Sequence, residues 1–169
     1  MKHITLFLIL MCVIIITLIS GCVTRDAGDL VFTEEELRSM GYDVQRTEEY
    51  YDGVWENFDG FVSGTQRVYR IGWQEGKYEG EIVFQVVIFD NEVNSQKSYS
   101  TRVDYAFLTS KVPCEQSTLG DESCCYEANG SYDCLARYGE NDIFLRVLDL
   151  DRTFEDVEEL MNVFEEKIN

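Results

Sequence analysis

The chain has 169 residues, 45% of them hydrophobic and 27% charged, the length of one domain with an N-terminal addition. Lysine and arginine number 14 against 32 aspartates and glutamates, for a formal net charge of −18. So acidic a surface repels phosphate backbones and anionic headgroups, which argues against nucleic acid as a partner.

Residues 4–20 are almost wholly apolar, with Lys2 before them and Arg25 after. A basic start, a greasy run and a small-residue exit predict a secretory signal over residues 1–21. The run is close to the shortest that crosses a bilayer, about 20 residues. An uncleaved signal anchor is therefore the competing reading, and it too places the rest of the chain outside the cytoplasm, because Lys2 stays on the inner side. The exit, Ile19-Ser20-Gly21-Cys22, closely resembles the lipobox of prokaryotic lipoproteins. That resemblance implies that Cys22 is acylated, becomes the new N-terminus and anchors the protein on the extracytoplasmic face of the cell membrane. At about 0.8 kcal/mol per buried methylene, several acyl chains hold a protein there without a spanning helix. Residues 22–30 then read as a tether, and residues 31–169 as a single extracytoplasmic domain.

The domain opens on "TEEELRSMG", where Thr33 and Glu36 make a capping box and Gly41 a stop, predicting a helix over 34–40. A turn-rich stretch punctuated by Gly53, Gly60 and Gly64 follows. "TQRVYRIGW" and "YEGEIVFQVVIFD" predict two strands joined through "QEGK", the second apolar enough to be central. "NEVNSQKSYSTRVDYAFL" predicts a helix capped by Asp90 or Asn91, with Val93, Tyr99, Val103, Ala106 and Phe107 on its inner face. Two short strands around Asn129-Gly130, a strand over "NDIFLRVLDL" and a final helix over "TFEDVEELMNVFEEKI" complete the order. In that helix Phe154, Val157, Leu160, Met161, Phe164 and Ile168 keep helical spacing, behind an acidic start at Thr153 and Asp156.

Strands in hairpin-like neighbours with two main helices predict an α+β fold: an antiparallel sheet of about five strands packed against two helices. This order resembles PsbP-like extracytoplasmic domains. The run "GFVSGTQRVYR … VVIFDNEV … LGDES" is similar to small archaeal and bacterial surface lipoproteins. Both resemblances imply a fold and a location rather than an activity.

Four cysteines remain beyond Cys22, namely Cys114, Cys124, Cys125 and Cys134, and an even count in an exported chain points to disulfides. A two-residue turn at Asn129-Gly130 sets Ala128 opposite Ser131 and Cys125 opposite Cys134. That pair falls on a non-hydrogen-bonded rung, where Cα atoms lie about 4.5 Å apart. Cys125–Cys134 with Cys114–Cys124 is the expected pairing, and Cys114–Cys125 with Cys124–Cys134 the alternative. Zinc is not expected, because CxxC spacing is absent and the sole histidine, His3, departs with the signal.

Without a mature histidine there is no imidazole for a Ser or Cys triad, and GxSxG, Walker and GxGxxG motifs are missing. Asp149, Asp151, Thr153 and Glu155 imitate the start of an EF-hand loop, but Phe154 and Leu160 occupy the glycine and bidentate-glutamate positions, so a strand end and helix start explain them better. A carboxylate-based hydrolase would need a deep cleft. The expected role is a binding or interaction module without catalysis or cofactor, with an envelope protein or a small ligand as partner. The runner-up is a small-ligand or cation-binding accessory subunit of an envelope complex. The best candidate patch is "EEYYDGVWENFDGF", where Tyr50, Tyr51, Trp55, Phe58 and Phe61 lie among glycines and acids. Asn129-Gly130-Ser131 is also a sequon, which makes Asn129 a candidate for glycosylation.

Overall fold

The computed structural model describes residues 26–50, 53–114, 119–128, 130–148 and 154–168. The elements run α1 (Ala27–Leu30), α2 (Glu34–Ser39), β1 (Val44–Tyr50), a 3-10 turn (Gly53–Asn57), β2 (Phe61–Ile71), β3 (Gly80–Phe89), α3 (Glu92–Ser110), β4 (Glu122–Ala128), β5 (Ser131–Tyr138), β6 (Asn141–Leu148) and α4 (Phe154–Ile168). All six strands join one sheet in the order β1-β2-β3-β6-β5-β4, antiparallel throughout. The α+β expectation holds at that level, with one strand more than expected.

The additional strand is β1, in the stretch expected to be turn-rich. Its sequence VQRTEEY buries Val44 alone and shows no clean inside–outside alternation, because it is an outer strand with solvent along one side. A register shift between Val44 and Arg46 bends it further. Charges bind it to its neighbour instead: Glu48, paired with Arg46 of the same strand at 2.9 Å, faces Arg70 of β2, and Glu49 faces Arg67. β2 likewise starts earlier than expected, at Phe61, running straight through Gly64.

Residues 27–30 also depart from the tether expected over 22–30. Asp26 caps them by accepting from the Gly28 amide at 2.9 Å, and Ala27 and Leu30 are buried as α1. The following cap matches expectation, with Thr33 and Glu36 bonding each other's backbone. Cys22 and the signal lie outside the described residues, as do Tyr51, Asn129, Asp149, Asp151 and Thr153. Among the described residues, no helix is long and apolar enough to cross a membrane.

Alternation along the strands sorts side chains to two faces, and each face carries a main helix, where both had been expected to pack together on the sheet. On the first face, Ile82, Phe84, Val86 and Ile88 of β3 meet Ile143, Leu145 and Val147 of β6 beneath Val157, Leu160, Met161 and Phe164 of α4, with Phe32 and Leu37 alongside. This is a dry, aliphatic and aromatic core. The second face has a smaller cluster of Tyr99 and Ala106 from α3 with Cys124, Tyr126 and Leu135. Buried polar groups interrupt it: Gln85, Asp133, Arg137 and Asp142. Among the described residues, 26–168 carry the sheet and a hydrophobic core on each of its faces, the mark of a unit able to fold alone.

Cys125 stands opposite Cys134 in the β4–β5 register and is bonded to it, Cα to Cα 4.1 Å. The second bridge ties Cys114, beyond the end of α3, to Cys124 on the outer strand β4. The expected pairing is the one present.

Candidate functional site

The polar interruptions on the second face surround a cavity. Helix α3 turns Ser95, Ser98, Arg102 and Ala106 toward the sheet at successive spacings of three and four, with Tyr99 beside Ser98, which is one helical stripe. Val93 and Phe107, expected on that stripe, are instead 62% and 54% exposed. The expected stripe was chosen for hydrophobicity, whereas the buried one contains two serines and an arginine.

The 3-10 turn forms the opposite lip, and a glycine holds it there. Gly60 adopts φ +74°, and a Cβ at this position would lie 2.2 Å from Asp90 Oδ1. The Gly60 carbonyl accepts the Asp90 amide at 2.8 Å, while Asp90 Oδ1 accepts from Asn94 Nδ2 at 2.9 Å. Asn91 caps α3 by accepting from the Asn94 amide. The turn is thus fastened to the first turn of α3, and Trp55 stacks on Phe58 with ring centres 5.7 Å apart.

Between these walls lies a cavity of about 460 Å³, within the usual 300–1,000 Å³ of small-molecule sites. Trp55, Phe58, Tyr126, Leu135 and Phe144 give it an aromatic and aliphatic lining, and Tyr105 and Thr109 stand at its edge. Its charged lining residues are Arg102 and Arg146; among the described residues, no carboxylate lines it. In a chain with 32 acidic side chains, that local reversal of charge is informative.

The two arginines differ in their partners. Arg146 forks onto Asp133 at 2.8 and 2.6 Å, and Ser131 Oγ gives Asp133 a further bond at 2.9 Å. That hydrogen-bonded pairing raises the Arg146 pKa above its ordinary value. Arg102 donates Nη2 to Gln85 Oε1 at 3.0 Å and lies 4.6 Å over the Trp55 ring, a cation–π contact. Its Nη1 is buried without a hydrogen-bond partner, and the Trp55 Nε1 is too. Burial pulls the Arg102 pKa down to about 10, so the group stays charged at neutral pH. Deeper beside α3, Asp142 accepts from Ser95 Oγ at 2.7 Å, and burial pushes its carboxyl pKa up.

Of the five aromatic residues expected to form a patch, Trp55 and Phe58 line this cavity. Tyr50 is 45% exposed and donates to Glu48 on β1, away from it. Phe61 begins β2 and lies opposite Phe89. The rest of the site comes from residues not anticipated from sequence. Gln85 had a visible signal, since it is the lone polar residue inside IVFQVVIF. Arg102 shared a helical stripe with Ser95, Ser98 and Tyr99, but nothing in the sequence tells such a stripe from a solvated one.

The fold and the cavity together define an α+β single-sheet domain with a helix-roofed pocket. No protein-family model and no curated protein sequence matches the chain. Among solved structures, the extracellular domain of PknH from Mycobacterium tuberculosis is similar, with a TM-score of 0.59 over 85% of this chain and 94% of that chain, at 10% identity. At such identity the likeness is one of fold.

Proposed function

We propose that this chain is an exported binding module, anchored through an acylated Cys22, that holds a small molecule beneath α3 and performs no chemistry on it. The observation that carries the reading is the 460 Å³ cavity walled by Trp55, Phe58, Tyr126, Leu135 and Phe144. Apolar walls with a few placed polar groups are what a ligand site needs. Two disulfides support an oxidising compartment. The lipobox-like Ile19-Ser20-Gly21-Cys22 supports the anchor. The two arginines on its walls weigh against the cation expected as one ligand class.

The test is fluorescence of the uncharged probe N-phenyl-1-naphthylamine with the domain of residues 26–169. Emission rises on binding to the native domain. Thr101→Trp or Thr109→Trp, both at exposed wall positions, abolishes the rise without unfolding the domain. An unchanged response in both variants rules out this cavity. For the anchor, mass spectrometry of the native protein should find an acylated Cys22 at its N-terminus, and an unmodified Cys22 in cytoplasmic material would refute it.

A further inference from the structure

The wall of the cavity holds two hydrogen-bond donors without acceptors. Arg102 Nη1 and Trp55 Nε1 are both buried and unpaired, and both belong to residues on its wall. A buried N–H left without a partner is costly, and a ligand acceptor that reaches it recovers that cost. The two groups are adjacent, the guanidinium lying 4.6 Å over the indole ring. Neither can be served by a cation or by another donor. Among the described residues, no carboxylate lies within ion-pairing distance of Arg102, whereas Asp133 already neutralises Arg146. The remaining walls are apolar, and Tyr105 and Leu108, one helical turn apart, are 70% and 73% exposed at the end of α3.

Resting on the reading of this cavity as a ligand site, we infer that its occupant is an anionic amphiphile, with an oxyanion head met by Arg102 and Trp55 and an apolar chain or ring lying on Phe58, Leu135 and Phe144. A chain longer than the cavity leaves across Tyr105 toward Leu108. A guanidinium fork suits a carboxylate or a phosphate monoester equally, and low local polarity strengthens the pairing.

Four probes with twelve-carbon chains separate the terms: dodecanoate, dodecyl phosphate, dodecanol and dodecyltrimethylammonium, the ions each below the micelle concentration and dodecanol below its solubility limit. Binding to the domain of residues 26–169 is followed by Trp55 fluorescence in a Trp73→Phe background and by calorimetry. At least one of the two anions binds about tenfold or more tightly than dodecanol and the cation, a gap of about 1.4 kcal/mol. The tighter anion distinguishes a fatty-acid source from a phosphorylated-lipid source. Arg102→Gln brings the anion to within about threefold of dodecanol and leaves dodecanol unchanged, and inorganic phosphate alone does not bind. Should dodecanol or the cation match both anions, the anionic ligand class is wrong while the binding module stands. Should no amphiphile bind, both readings fall. The headgroup comparison on the native domain decides the point even if the Arg102 variant fails to fold.

Discussion

The segregation of a dry core from a polar one makes Phe164→Ala an informative perturbation. Phe164 is fully buried on α4, its ring 5.2 Å from Phe84 and 5.7 Å from Tyr138. Truncating such a ring removes its transfer free energy and leaves a cavity, together about 3–5 kcal/mol. Native domains are stable by only about 5–15 kcal/mol, so this is a large fraction. With an unfolding entropy of about 2.1 cal/mol/K per residue over roughly 140 residues, a loss of about 4 kcal/mol lowers Tm by about 10–15 °C. Urea unfolding followed by circular dichroism, with disulfides intact, measures the same loss as a midpoint shift of about 2 M for a slope near 2 kcal/mol/M. Phe164 lies on the face away from the cavity, so ligand affinity in the folded state stays within about twofold of the native value. A Tm change below about 3 °C would show that α4 does not seal this core. Affinity falling in step with stability would show that the two faces do not act independently.

Asp142→Asn tests the buried carboxyl. Burial raises the native pKa of Asp142, so the folded state takes up a proton that the unfolded chain has released. Stability therefore falls as pH rises from the unfolded carboxyl range through the native pKa. The asparagine variant should lack that fall, matching or exceeding native stability at neutral pH; parallel stability–pH curves for the two proteins would refute this. Replacing Cys125 and Cys134 with alanine opens a short loop across the β4–β5 hairpin and should cost about 2.5–3 kcal/mol by chain entropy, read as a thermal shift. Partial reduction with stepwise alkylation should label Cys114 with Cys124 and Cys125 with Cys134, and co-labelling of Cys114 with Cys125 would refute the pairing. Gly60→Ala should displace the turn bearing Trp55, weakening probe binding more than it lowers Tm, as fluorescence titration and melting together would show.

The elements legible in the sequence were those whose own residues dictate them. The Thr33–Glu36 box, the apolar run of β3, the Asn129-Gly130 turn and the stripe of α4 all rest on local chemistry, and each led to an element present in the fold. The cysteine pairing followed because a two-residue turn fixes register. β1 was hidden because an outer strand held by ion pairs carries no hydrophobic alternation. The face of α3 was read in part: Tyr99, Val103 and Ala106 pack inward as expected, but Val93 and Phe107 give way to polar residues whose partners lie on strands far away in sequence, Ser95 on Asp142 and Arg102 on Gln85. The candidate site depends on just such distant pairs, so only Trp55 on the 3-10 turn and Phe58 just beyond it were recognisable beforehand as site residues.

The outer strand has a consequence for life among neighbours. The margins of an open sheet are where another molecule's backbone attaches, and proteins held side by side at high density are most at risk. Here one margin bristles with Arg46, Glu48 and Glu49, and the other is pinned down by Cys114–Cys124. Stripped of the charges on β1, the domain would keep its interior and lose its solitude, zipping onto copies of itself.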